Sequence, residues 1–158
     1  MLSAMAAGLI ITHYENIFEA VPLLVAFIPM LMASGGNGGA QTSTLIIRGL
    51  STSEIKRKDI VRVIWKELII SFSIGVILAL LNAVFVILVY DSAQIALVVG
   101  LALIGTIVVS KLLGCTLPFL AKIIKIDPAV MATPLIMTII DIFAVWFYFK
   151  IAIAILGL

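Results

Sequence analysis

The sequence predicts an all-α, polytopic membrane protein. Hydrophobic residues make up 64% of the 158 residues and charged residues only 11%. Soluble domains typically carry about 25% charged residues, so the charges here are too few to cover a water-facing globule of this size. The apolar residues fall in long runs suited to membrane helices of ~20 residues. These runs lack the short alternating pattern of a membrane β-barrel strand.

Five apolar segments divide the chain, and residues 1–158 as a whole are predicted to form one transmembrane pore domain. The predicted helices cover roughly 2–12, 20–47, 68–90, 93–113 and 128–156. The first would be about 16 Å long at the helical rise of 1.5 Å per residue, which is too short to cross a bilayer. We therefore expect five spans, the first of them truncated.

Local signals mark several helix ends. Asp91-Ser92 predicts a tight turn, and Asp127-Pro128 supplies an acidic N-cap followed by proline at the first helical position. Pro118 predicts an end or a kink in the fourth helix. Ser51–Glu54 fits a capping box that would open a short amphipathic helix along the inner membrane face.

Basic residues are distributed unevenly among the links between helices. The links after the second and fourth helices hold nine, and the links after the first and third hold none. The nine are Arg48, Lys56, Arg57, Lys58, Arg62, Lys66, Lys111, Lys122 and Lys125. Basic links face the cytoplasm, which predicts a multi-pass protein of the inner or plasma membrane with a cytoplasmic N-terminus and an extracytoplasmic C-terminus. Topology explains this charge without a nucleic-acid partner, so the lipid bilayer is the expected surrounding.

Asp141 is the one acidic residue that the sequence places within a span. It lies about 20 Å of helical rise beyond Pro128, close to mid-bilayer. An ionisable group there costs at least ~2.5–3.5 kcal/mol and usually faces the bundle interior or a water path. We interpret Asp141 as a carboxylate kept ionised by a passing cation; a protonated structural aspartate is the alternative.

The second segment contains four glycines within five positions. They are Gly35, Gly36, Gly38 and Gly39. Glycine destabilises a helix by up to ~1 kcal/mol relative to alanine, so the run predicts a break whose free carbonyls line a watery cavity. Close helix packing through the pair Gly35 and Gly39 is the alternative. Asn37 and Gln41 add side-chain oxygens suited to hard cations and favour the pore interpretation.

Other residues carry weaker signals. Glu15 and Glu19 are placed at an outer mouth, where their charges would attract cations, although a solvated loop is the alternative. Cys115 is the single cysteine, so no intramolecular disulfide can form. Nothing resembles a catalytic triad, an H-E-x-x-H site or a nucleotide-binding loop, so neither enzymatic activity nor an organic cofactor is predicted.

Two stretches of the chain carry specific motifs. One is Phe27–Gln41, which reads FIPMLMASGGNGGAQ and continues to Arg48-Gly49-Leu50; it resembles the second helix of the MgtE family of magnesium channels. Asp127-Pro128-Ala129, Thr133-Pro134 and Thr138–Asp141 are similar to its fifth helix. The resemblance extends in order over nearly the whole chain.

The resemblance implies a homodimer with a pore on the dimer axis, lined by the second and fifth helices of each subunit. The implied cargo is largely hydrated Mg²⁺, held by Asp141 and the backbone carbonyl of Met137, with Thr133 in place of an asparagine discussed in the family. The implied pore lining comprises Gly35, Gly36, Asn37, Gly38, Gly39, Gln41 and Thr138. Cytoplasmic regulatory domains typical of the family are absent from this chain.

Passive conduction of Mg²⁺ is therefore the predicted function. An ion-coupled secondary transporter, with Asp141 as a proton or Na⁺ site, is the first alternative. Such folds commonly contain internal repeats, which this sequence does not suggest. A membrane anchor or assembly subunit is the second alternative.

Overall fold

The structure is a computed structural model that describes the backbone of residues 2–157. It also describes their side chains, except at positions 2–4, 16, 18, 57 and 128–133. Every regular element in this range is helical, which confirms the predicted all-α class. The α-helices are α1 (Leu2–His13), α2 (Glu15–Ala20), α3 (Ile28–Ser51), α4 (Ile60–Tyr90), α5 (Ala93–Ile123) and α6 (Pro128–Leu156). Short 3₁₀ turns over Pro22–Phe27 and Arg57–Asp59 lead into α3 and α4.

Within the described residues, four helical stretches are long and apolar enough to cross a membrane. They are Pro22–Ser51, Ile60–Tyr90, Ala93–Ile123 and Pro134–Leu156. The first predicted span corresponds to α1, whose 12 residues fall short of the ~20 that a bilayer requires.

Two helices extend well beyond the ends that hydropathy predicted. α4 begins at Ile60 rather than near residue 68, so the charged residues over 60–67 form its first turns. α5 continues to Ile123 and stays helical through Pro118, instead of ending near residue 113. Charged residues lower the hydropathy of a segment without interrupting its backbone hydrogen bonds, so hydropathy underestimates both helices.

The capping box and short amphipathic helix predicted from Ser51 are wrong. Ser51 is the last residue of α3, and its hydroxyl donates to the Ile47 carbonyl at 2.9 Å. The chain then turns through Ser53, whose φ of 61° is left-handed. The Lys56 N–H donates to Asp59 Oδ2 at 2.9 Å, and this local cap precedes α4 directly.

The turn predicted at Asp91-Ser92 is confirmed. Asp91 adopts a left-handed φ of 50°, a conformation in which aspartate and asparagine are enriched. The Ser92 hydroxyl oxygen accepts a hydrogen bond from the Ile95 N–H at 3.3 Å and so caps α5. This turn sets α4 and α5 side by side.

α5 is the central helix of the bundle. It packs against α3, α4 and α6, whereas α1 packs against α6. At the end of the bundle near this turn, the Tyr148 hydroxyl donates to the Leu24 carbonyl at 3.0 Å and ties α6 to the turn before α3. α4 lies at the periphery with apolar side chains such as Leu81 and Leu88 exposed, as expected of a helix that faces lipid.

The break predicted over residues 35–41 is wrong, because α3 is a continuous helix from Ile28 to Ser51. A Cβ atom added at Gly35 or Gly39 would lie 2.6 Å from side-chain atoms of Ile140. A Cβ atom at Gly114 would collide with the backbone carbonyl of Gly39. Close packing, the alternative interpretation, therefore explains these glycines: they let α3 approach both α5 and α6.

Gly114→Ala is expected to destabilise the bundle by roughly 1–3 kcal/mol, because its Cβ would meet backbone rather than a flexible side chain. Gly100→Ala is the matched control in the same helix, since its Cβ would lie 3.5 Å from that of Ala79. Alanine is the better helix former, so this control should be neutral or stabilising. The measurement is the thermal midpoint of purified protein in mild detergent. Equal midpoints for the two variants would contradict the close approach of α3 and α5.

Candidate cation site

Asp141 lies on α6 at the edge of the helix packing within the chain. Its side chain is half-buried, and Met137, one turn earlier, is exposed on the same face. Ile136 and Ile140, about 100° away around the helix, are fully buried. The helical period therefore places Met137 and Asp141 beside the buried ridge rather than on it.

The two helices predicted to line a pore pack directly against each other. Ile140, the neighbour of Asp141, fills the space left by Gly35 and Gly39, and Gly36 lies beside Met137. All three glycines are buried between helices of the chain. Their contribution to a pore lining stays a prediction, and what they provide within the chain is the close position of α6.

An uncharged polar strip follows the exposed side of α3. Asn37, Gln41 and Thr44 are exposed and succeed one another at helical spacing. Asn37 and Gln41 also line a cleft of about 220 Å³ together with Ser34 and Lys111. Amide and hydroxyl oxygens in such a position can accept hydrogen bonds from the water shell of a cation.

The other predicted site residues lie on α6 and α2. The Thr138 hydroxyl donates to the Pro134 carbonyl at 2.9 Å, which leaves its oxygen as an acceptor. The side chain of Thr133 lies outside the described residues. Glu15 and Glu19 are exposed on α2, and their place at an outer mouth stays a prediction.

Among the described residues, no group of three or more histidine, cysteine or acidic side chains could hold a metal ion. Mg²⁺ prefers octahedral coordination by six oxygens and gives up its waters reluctantly. The described part of a single chain thus provides hydrogen-bond acceptors around Asp141 and along α3, but no cluster of three or more acidic side chains to bind a dehydrated ion.

The sequence interpretation missed a polar cluster that links three helices. Lys111 Nζ on α5 lies 3.5 Å from Glu67 Oε2 on α4, and the Thr42 hydroxyl on α3 donates to the same oxygen at 3.2 Å. Both charged side chains are largely buried, with 13% and 15% of their surface exposed. The sequence placed both charges in inner links.

A signal for this cluster does exist in the sequence. Lys111 has long apolar stretches on both sides, over 95–110 and 112–121, and a charge within an apolar helix needs a partner. The sequence does not show which residue is the partner, because Glu67 is 44 positions away from Lys111. The proximity of these two residues depends on how α4 and α5 pack.

Comparison with known proteins identifies relatives of the chain. A family model for MgtE, described as a divalent cation transporter, matches residues 28–151. A magnesium transporter MgtE of Bacillus subtilis is 36% identical over 148 residues, which are 94% of this chain and 33% of that protein. A magnesium transporter MgtE of Thermus thermophilus is 35% identical over 155 residues, which are 96% of this chain and 34% of that protein. The chain thus spans about a third of the length of these curated relatives.

Proposed function

Because the chain belongs to the MgtE family of divalent cation transporters, we propose that it forms the ion-conducting membrane part of a magnesium transporter. The observation that supports this most is the position of Asp141. It is an acidic residue within a span, half-buried at the edge of the subunit, beside the helix that carries the glycines. In this proposal its carboxylate attracts Mg²⁺ into the membrane.

The proposed mechanism is passive conduction of a largely hydrated ion. Asp141 and the amides of Asn37 and Gln41 would accept hydrogen bonds from water bound to Mg²⁺, and the Met137 carbonyl would face the same path. The backbone carbonyls over 36–41, which the glycine run predicts to be free, belong to a continuous helix. Side chains on the exposed face of α3 are therefore the better candidates for contacts with the water shell.

We further propose that the conducting unit is a homodimer with α3 and α6 of each subunit at the two-fold axis. One carboxylate per chain carries half the charge needed to neutralise a divalent ion, whereas two carboxylates from symmetry-related subunits would neutralise it. Asp141 lies at an edge that a second subunit could approach. The proposed orientation keeps the basic residues between α3 and α4 on the cytoplasmic side.

Asp141→Asn is expected to reduce Mg²⁺ flux at least about tenfold, since losing ~1.4 kcal/mol of ion stabilisation already has that effect. The measurement is Mg²⁺ uptake into liposomes that contain purified protein, without a proton or Na⁺ gradient. Asp91→Asn is the matched control, because it removes an exposed acid from a turn whose left-handed φ asparagine also adopts. Normal Mg²⁺ flux in Asp141→Asn would contradict the proposed role of the carboxylate. Wild-type flux that requires an imposed proton or Na⁺ gradient would favour the coupled transporter.

The dimer predicts that cysteines on the two subunits can be joined across the two-fold axis. In a background with Cys115→Ala, Asn37→Cys on the exposed strip of α3 should crosslink in membranes with a short bifunctional thiol reagent, because a gap that admits a hydrated ion exceeds the ~4.4–6.8 Å between Cα atoms that a disulfide allows. Leu88→Cys is the control, since Leu88 is 79% exposed on α4, the lipid-facing helix, and should not crosslink. A monomeric mass in mild detergent, together with no crosslink at Asn37, Gln41 or Thr138, would refute the dimer.

Conduction of a hydrated ion predicts block by cobalt hexammine, whose ammine ligands exchange slowly and imitate a hydrated divalent ion. It should compete with Mg²⁺ in the wild-type protein and lose most of its affinity in Asp141→Asn. The measurement is displacement of Mg²⁺ in equilibrium binding, which does not require flux. Failure of cobalt hexammine to compete would count against the mechanism. Asp141 oxygens at the ~2.1 Å inner-shell distance from Mg²⁺ would show it to be wrong.

A further inference from the structure

The Thr42–Glu67–Lys111 cluster places an ammonium group beside the polar strip of α3. Removing a charge from water costs several kcal/mol unless a partner compensates it, and Glu67 supplies that partner for Lys111 at 3.5 Å. Thr42 donates to the same carboxylate oxygen at 3.2 Å. The position of Glu67 is thus tied to α3, and the position of the ammonium is tied to Glu67.

Lys111 also has a second set of acceptors within its surroundings. Its stem passes α3 at Gly38, where an added Cβ atom would lie 3.9 Å from Lys111 Cγ. It lines the cleft of about 220 Å³ together with the oxygen-bearing side chains of Ser34, Asn37 and Gln41. A lysine side chain is long and flexible, so the acceptor that binds its ammonium decides which side of this cleft carries the charge.

Glu67 faces a different space. It lines a cleft of about 670 Å³ that also contains Glu54, Asp59, Arg62 and Lys66. Asp59 and Arg62 flank the start of α4, so this cleft opens at the end of the bundle where α4 begins. The ion pair therefore lies between two clefts, with the carboxylate bordering one and the lysine bordering the other.

We propose that Glu67 is a positioning residue for Lys111, and that it holds the ammonium away from the exposed polar strip of α3. The inference rests on the proposed function, in which that strip faces the path of a divalent cation. A fixed positive charge on the strip would repel such an ion. Glu67 acts through Lys111 and does not itself contact the ion.

A measurement of the local electrostatic potential at position 37 tests whether Glu67 positions Lys111. Asn37→Cys in the Cys115→Ala background is treated with two methanethiosulfonate reagents, one carrying a sulfonate and one a trimethylammonium group. The ratio of their reaction rates reports the charge near position 37 and requires no ion flux. At low ionic strength Glu67→Gln should raise the anionic-to-cationic ratio about fourfold, the effect of a unit charge ~10 Å away at a dielectric constant of ~80.

Two further variants separate positioning from a merely structural role. Glu67→Gln/Lys111→Met should return the ratio to the starting value, because no charge then remains to be positioned, and uncharged pairs of similar size usually preserve folding. Lys111→Met alone should lower the ratio, because it leaves the Glu67 carboxylate without its partner, but by less than fourfold, since Glu67 already holds the ammonium away from the strip. In proteins that retain Asn37, Glu67→Gln should raise the half-saturating Mg²⁺ concentration for flux, and the double variant should restore it.

Several results would overturn the proposal. An unchanged ratio of reaction rates in folded Glu67→Gln would contradict the proposal. A fall of the ratio by fourfold or more in Lys111→Met would also contradict it, and this can be measured even where Glu67→Gln does not fold. The absence of reaction of Asn37→Cys with either reagent would also do so, because the strip would then not face water. Normal flux in Asp141→Asn would instead remove the proposed function while leaving the rate ratios intact, so the two failures are distinguishable.

Discussion

The close approach of α3 to α5 and α6 is the constraint on which the rest of the bundle depends. In lipid the hydrophobic effect does not hold helices together, so association relies on packing and on polar contacts between helices. Gly39 and Gly114 bring α3 and α5 into backbone contact, with no room for a Cβ atom between them. The same proximity allows the Ser110 hydroxyl to donate to the Gly35 carbonyl. The glycines thus weaken α3 as an isolated helix and stabilise it as a member of the bundle.

This packing also fixes the rotation of α6, and with it the position of Asp141. Ile136 and Ile140 are one helical turn apart and both enter the surface created by the glycines. Once that ridge is buried, the residues that follow each isoleucine must lie about 100° further around the helix. Those residues are Met137 and Asp141, so the glycines influence the candidate site through the orientation of α6 rather than through free backbone carbonyls.

The sequence predicted those features that depend on local composition. Hydropathy indicated the all-α membrane class and placed Asp141 within a span, and turn chemistry located the bend at Asp91-Ser92. The glycine run could not be resolved, because glycine permits both a helix break and close packing; Ile140 and Gly114, on other helices, decide between the two. The Glu67–Lys111 pair was missed for a related reason. Glu67 precedes the predicted start of its helix and Lys111 lies near the predicted end of its own, and their contact arises only when α4 and α5 pack.

Under the proposed function, the chemistry of Mg²⁺ makes the spacing of helices more important than the number of ligands. Replacing six tightly bound waters would require a cage of oxygens, and the described part of one chain holds no cluster of three or more acidic, histidine or cysteine side chains. A half-buried carboxylate and exposed amides can instead accept hydrogen bonds from those waters, whose positions are set by the radius of the hydrated ion. Discrimination would then depend on how far apart the α3 and α6 surfaces of two subunits stand. The glycine contacts that fix α3 against α6 within each subunit would therefore contribute to selectivity without touching the ion.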